Sequence, residues 1–207
     1  MRFFIAALFL LHTGCSLPKI IVLHDPLSAD EHVKLGNIYE SQEKSTQALE
    51  QFRAAVQADP KHVQAWLLLG ELAYKQGAYP EAETAYQKAT KLQPDNGDIN
   101  NNLAWVYIQQ RKKLEKAEAL TARAMTLTPE HKPYYLDTRG VILLRSGRVQ
   151  EAIAVLREAV ETLPKDKPEF IAEAYGHLAE AYQAEGDVAQ YADAEKMRNE
   201  LLKETRK

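Results

Sequence analysis

The chain has 207 residues, 45% of them hydrophobic and 27% charged, with a formal net charge of −3. That is ordinary globular composition, long enough for one sizeable domain, and a pI near 6.1 gives no global attraction to nucleic acid or anionic lipid. A single cysteine excludes an intramolecular disulfide framework.

The chain opens with MRFFIAALFLLHTGC, in which Arg2 is a minimal positive region before the apolar run 3–11. Such a run fits the apolar region of a signal peptide and falls short of the roughly 20 residues that span a bilayer. Small Thr13 and Gly14 precede the only cysteine, Cys15. The stretch resembles a bacterial lipoprotein signal. The resemblance implies cleavage after residue 14 and a lipid anchor on Cys15. His12 departs from the leucine expected there, and Ser16 after the cysteine resembles outer-membrane sorting. The expected location is the cell envelope, lipid-anchored at the outer membrane and facing the periplasm. The alternatives are an uncleaved anchor, against which Pro18 and Lys19 interrupt the apolar stretch, and an ordinary cleaved signal or none. Residues 15–28 then form the lipidated cysteine and a tether, whose apolar 20–23 segment is expected to dock on the first helix pair.

From residue 29 the pattern becomes helical and repeats. It is clearest in 63–96. Trp66, Leu69, Gly70 and Ala73 lie on one face of a helix. Gly77 suits the left-handed residue that ends it, and Pro80 the first turn of a second helix. Ala82, Ala85, Tyr86 and Ala89 line the inward face of that helix, and Pro94 stops it. Gly70 and Ala82 are expected to let the two backbones approach, with Tyr86 filling the wedge beside the next pair. One such pair buries a single side, so neighbours must cover the other.

Pro60, Pro94, Pro129 and Pro164 are spaced 34, 35 and 35 residues apart, and Ala48, Ala82, Ala117 and Ala152 keep the same spacings. Gly36 and Gly70 are followed by Ala104 and Gly140. This order resembles the tetratricopeptide repeat (TPR) family. The resemblance implies an all-α fold, a right-handed TPR solenoid. Its domain covers 29–202, in repeats 29–62, 63–96, 97–130, 133–166 and 171–202, followed by a polar tail 203–207. Departures mark three repeats. Repeat one has Glu43 where the turn glycine sits, which predicts a looser turn. Repeat three has a longer, glycine-free turn and Thr121 at a large-residue position, which predicts weak packing. Repeat five follows an insertion at 165–170, and polar Lys196, Arg198 and Glu200 suit an end cap.

The sequence carries no constellation for catalysis. The six histidines are scattered, no HExxH, G-x-S-x-G or P-loop pattern occurs, and no second cysteine offers a metal pair. The expectation is no enzyme, no cofactor, no metal and no small-molecule substrate. The basic group Arg111, Lys112, Lys113 and Lys116 lacks neighbouring aromatics and reads as a solvated turn, so no nucleic-acid partner is expected.

The TPR resemblance implies a concave groove of first helices that binds a partner protein or peptide. The positions it assigns there are Asn37, Leu67, Glu71, Tyr74, Asn101, Trp105, Ile108, Asp137, Val141 and Arg145. Tyr74 and Trp105 are aromatic anchors of the kind found at hot spots, with packing of Trp105 and Ile108 against a neighbouring first helix as the alternative, and Asn37 and Asn101 offer amides to a peptide backbone. Trp66 belongs instead with the core. Val33 stands where the first lysine of a carboxylate clamp would be, so a free C-terminus is a disfavoured ligand. In plan the chain is similar to TPR lipoproteins that assist pilus or secretin assembly or position cell-wall hydrolases. A self-associating structural subunit, docking through array ends or the convex face, and an accessory subunit of a neighbouring enzyme are the other readings.

Overall fold

The computed structural model describes residues 25–205. Cys15, the signal-like stretch and the 20–23 segment lie outside the described residues. Ten α-helices follow in order: α1 Ala29–Ser41, α2 Ser45–Ala58, α3 Val63–Lys75, α4 Tyr79–Leu92, α5 Gly97–Gln109, α6 Leu114–Leu127, α7 Lys132–Arg145, α8 Val149–Thr162, α9 Pro168–Glu185 and α10 Val188–Glu204. A short 3₁₀ turn, Pro129–His131, leads into α7. Each odd helix packs on the even helix after it, and α2, α4, α6 and α8 each pack on the next odd helix. The first helices also touch, α5 against α7 and α7 against α9. The result is an all-α solenoid of five helix hairpins, with the core running between hairpins as a ribbon.

Small residues set the hairpin spacing. Ala48, Ala82, Ala117 and Ala152, one on each second helix from α2 to α8, are fully buried. Opposite a glycine of the first helix lies a large side chain of the second. A Cβ built on Gly36 would stand 2.4 Å from the Phe52 ring, on Gly70 3.0 Å from the Tyr86 ring, and on Gly140 2.4 Å from Leu156 Cγ. Tyr86 thus fills the space over Gly70 within its own hairpin, where the sequence reading assigned it to the wedge beside the next. Repeat three exchanges the two volumes. Ala104 takes the glycine position and Thr121 the large one, and both are fully buried. Thr121 Oγ1 has no hydrogen-bond partner among the described residues.

The hairpin turns share one closure. In repeat two Gly77 N–H donates to Tyr74 O and Ala78 N–H to Ala73 O, at 2.9 Å each, with Gly77 at φ 73°. Repeat four does the same through Gly147 and Arg148. This is the Schellman closure that satisfies the last carbonyls of a helix. Repeat one makes it without glycine. Glu43 adopts φ 59°, Glu43 N–H donates to Glu40 O and Lys44 N–H to Tyr39 O. The expected loosening is absent; the turn keeps its hydrogen bonds and places a non-glycine residue in the left-handed region. In repeat three Arg111 and Lys113 both take positive φ, at 50° and 56°, which accommodates the extra residue.

The insertion expected at 165–170 is only partly a loop. Pro168 opens α9, so Phe170 sits in the first turn of a helix of 18 residues, longer than the other first helices. Proline suits that turn because its missing N–H has no intrahelical partner there. The polar tail is likewise shorter than expected, since α10 runs through Glu204. Ion pairs link successive repeats: Arg53 of α2 with Glu81 of α4 at 2.7 Å, and Arg148, the N-cap of α8, with Glu118 of α6 at 3.1 Å. No described helix is long and apolar enough to cross a membrane.

Candidate functional site

Side chains three and four apart on a helix share a face. By that rule α3 presents Glu71, Tyr74 and Lys75, and α5 presents Asn101, Asn102 and Trp105. Helix α7 presents Tyr134, Asp137 and Thr138, and α9 presents Phe170, Glu173 and His177. Because α5, α7 and α9 pack side by side and α3 shares a cleft with α5, these faces form one wall. Three clefts run along it. The first, about 420 Å³, lies among Glu71, Tyr74, Lys75, Tyr86, Asn102 and Trp105. The second, about 230 Å³, is bounded by Asn101, Asn102, Trp105, Tyr134, Asp137, Thr138, Leu163, Phe170 and Glu173. The third, about 330 Å³, includes Glu173, His177, Glu180, Tyr191 and Arg198. Asn102 and Trp105 are shared by the first two and Glu173 by the last two, so the groove is continuous from repeat two to repeat five.

Tyr74 and Trp105 are half-buried and line this groove, as assigned from the sequence. Tyr74 packs edge-on against Tyr79 with ring centroids 5.7 Å apart. Burial raises its phenol above the usual range, and the Glu173 carboxylate across the groove adds to the shift. Asn101 also lines the groove, and its carboxamide oxygen is buried without a partner among the described residues. Glu71 is exposed and paired to Lys75 at 2.8 Å, while Lys75 also reaches Glu40 of repeat one at 3.4 Å. Arg145 pairs with Glu180 of the next repeat at 2.8 Å. Leu67 is half-buried against the core and Asn37 is exposed on α1, but neither borders the three clefts.

Two assigned positions turn inward. Ile108 is 3% exposed and Val141 is 2% exposed. They lie on the flank of their first helix that meets neighbouring hairpins, so they hold the wall together and offer no surface to a partner. Asp137 is 8% exposed and is engaged by His177, whose Nδ1 lies 2.9 Å from Oδ1 and 3.1 Å from Oδ2. Burial lowers the His177 pKa, but the Asp137 hydrogen bond and charge, with Glu173 and Glu180, outweigh it and leave the pKa raised. The His177 ring lies over Trp105 at 5.7 Å between centroids. Glu173 is exposed along its length, yet partial desolvation of its carboxyl and the Asp137 charge hold it above the usual carboxylate range.

His177, Glu173 and Phe170 were not assigned from the sequence. The 173/177 spacing on one helix face was legible, but Glu173 resembles any solvated helix carboxylate and His177 any scattered histidine. Phe170 fell inside the insertion. Trp66 is half-buried, packs on the core and donates its indole N–H to Pro60 O at 2.9 Å, which ties it to the inter-repeat loop.

The fold and groove define a class: helical-hairpin solenoids with a side-chain-lined inner face. Two profiles described as "Tetratricopeptide repeat" match this chain, one over residues 33–96 and 138–167 and the other over 74–142. The chain belongs to the tetratricopeptide repeat family. It is 30% identical over 126 residues to human Protein O-mannosyl-transferase TMTC3, covering 60% of this chain and 14% of that protein. It is 28% identical over 135 residues to Tetratricopeptide repeat-containing protein trd-1 of Caenorhabditis elegans, covering 65% of this chain and 17% of that one. The chain spans less than a fifth of either relative. Among solved structures it is similar to PilW, described as a widely conserved type IV pilus biogenesis factor. The TM-score is 0.73 at 20% identity, over 84% of this chain and 78% of PilW. It is also similar to YrrB, described as a TPR protein with an unusual peptide-binding site, with a TM-score of 0.60 at 20% identity over 84% and 86% of the two chains.

Proposed function

We propose that this chain is a protein–protein interaction scaffold that holds a segment of a partner protein in the groove of its first helices. The observation that carries the reading is the continuity of the clefts across repeats two to five, with Tyr74 and Trp105 on their walls. Half-buried aromatics beside polar groups supply anchoring area and orientation together. Membership of the repeat family and the described peptide-binding site of YrrB support a protein ligand.

The finer part of the proposal places the scaffold at a membrane, through a lipid on Cys15, where it assists assembly of an envelope complex. The composition of residues 1–15 supports the anchor, and likeness of fold to a pilus biogenesis factor supports the assembly role. Several acyl chains anchor firmly, because each buried CH₂ contributes about 0.8 kcal/mol.

The test is co-purification from native membranes with full-length protein and the Tyr74→Ala/Trp105→Ala variant at matched helicity and thermal stability. A partner retained by the original chain and lost from the variant supports the groove. Equal retention removes it. Loss of membrane association in Cys15→Ala supports the anchor, and unchanged association refutes it.

A second reading rests on α10, which exposes Val188, Tyr191 and Met197 at 78%, 36% and 40%. An array end of this kind suits stacking against another copy or another protein. Concentration-dependent mass in light scattering, abolished by Val188→Lys, distinguishes it.

A further inference from the structure

We infer that the cleft between α5, α7 and α9 is a socket for a basic side chain, arginine or lysine, of the partner segment. The inference rests on the groove reading above and specifies its chemistry. The six residues that decide it are Asn101, Trp105, Tyr134, Asp137, Phe170 and Glu173.

Charge comes first. Two carboxylates border the cleft, and no described lysine or arginine does. His177 balances Asp137 when protonated, but the Glu173 charge remains, so the cleft is net negative whether or not His177 carries a proton. A carboxylate held beside another carboxylate is destabilised in its charged form, and an entering cation relieves that repulsion. Burial, and to a lesser degree the Asp137 charge, holds the Glu173 pKa above its ordinary value.

Walls come second. Trp105, Tyr134 and Phe170 line the same cleft, and Tyr134 and Phe170 meet edge to face with centroids 5.0 Å apart. Aromatic faces carry negative quadrupole density and attract guanidinium or ammonium groups. The methylene stem of arginine or lysine also packs on such rings. Phe170 is 40% exposed at the mouth. It stands there because α9 begins at Pro168, so the added first turn of repeat five builds the wall.

Hydrogen bonding comes third. The Asn101 carboxamide oxygen is buried and has no partner among the described residues, a cost that a nearby donor removes after a small rotation of the amide. Arginine and lysine carry donors only, matching an acceptor-rich cleft. A volume near 230 Å³ suits the end of one long side chain.

The test uses the full chain and two probes, Nα-acetyl-arginine-N-methylamide and its citrulline counterpart, which keeps the shape and loses the charge. The readout is the chemical shift of the Trp105 indole N–H and the Asn101 side-chain amide, with the Trp66 indole as internal reference. The expected result is saturable movement at Trp105 and Asn101 with the arginine probe, little with citrulline, and binding about tenfold weaker in Glu173→Gln, the scale of one lost charge-assisted hydrogen bond. Glu173 is exposed, so that variant keeps its fold. Equal response to citrulline, unchanged arginine binding in Glu173→Gln, or no movement at millimolar probe overturns the inference. If the arginine probe fails while Tyr74→Ala/Trp105→Ala loses its partner, the groove stands with a different chemistry. If the probe binds while that variant keeps its partner, the socket stands and the groove reading of the natural partner fails.

Discussion

Gly140 and Leu156 occupy the same space: a Cβ on the glycine would lie 2.4 Å from Leu156 Cγ and 2.6 Å from Cδ2. Leu156 is fully buried, so it has nowhere to retreat, and relief requires the two helices of the hairpin to separate. Gly140→Ala is therefore expected to destabilise by about 1–3 kcal/mol, the usual cost of overpacking a core. Gly70→Ala should cost less, because its nearest contact is 3.0 Å and belongs to the flat Tyr86 ring. Urea unfolding of both variants checks the order. Equal stability of Gly140→Ala and the original chain would show that the hairpin tolerates spreading.

The same relationship explains repeat three. Ala104 spends the volume that the other hairpins leave to a large residue, and Thr121 gives it back. The outcome is a fully buried hydroxyl with no partner among the described residues. Thr121→Val removes that group at nearly constant volume. It should stabilise by about 1 kcal/mol, read as a rise in midpoint of roughly 2–4 °C for a chain of this size. A fall in midpoint would mean that the hydroxyl is satisfied in solution.

Turn chemistry gives a prediction of opposite sign at two sites. Glu43 sits at φ 59° in a closure that Gly77 and Gly147 make at φ 73° and 76°. The left-handed region costs a non-glycine residue roughly 1–2 kcal/mol. Glu43→Gly should recover about 1 kcal/mol of that, less the glycine's greater unfolded-state entropy. Gly147→Ala should lose about 1 kcal/mol through backbone conformation alone, since a Cβ there meets nothing within 4 Å. Thermal melts of the two variants moving in the same direction would refute this account of the turns.

The repeat positions were legible because backbone approach restricts them to glycine, alanine and proline, and a restricted position leaves a period in the sequence. The groove was less so. Ile108 and Trp105 lie three apart on α5, and only the path of the neighbouring helices makes one a core residue and the other a wall. Asp137 and His177 meet across 40 residues, a separation over which no periodicity forces a pairing. The extra turn of α9 was legible as an insertion, but its helical geometry, and with it the place of Phe170, depends on Pro168 opening a helix rather than ending a loop.

The His177–Asp137 contact predicts a pH dependence of the junction between repeats four and five. His177 faces Asp137, Glu173 and Glu180 and lies over Trp105. Burial disfavours its charged form, the three carboxylates favour it, and the balance leaves its pKa above the ordinary histidine value. A group whose pKa is raised on folding contributes stability in full below its unfolded value, near 6.5, and loses it as pH rises through the folded value. The α9 junction should therefore be more stable at pH 6 than at pH 8. Carboxylates lowered on folding, such as Glu81 and Glu83, lose their contributions only at more acid pH and leave this window clear. Hydrogen exchange of α9 amides should slow from pH 8 to pH 6 after correction for intrinsic rates, while amides of α4 change little. Asp137→Asn should remove most of the difference, because a neutral amide accepts a hydrogen bond without stabilising the imidazolium charge. A pH dependence of α9 that survives Asp137→Asn would assign the effect to other groups, and none in the original chain would mean that His177 titrates alike in the folded and unfolded states.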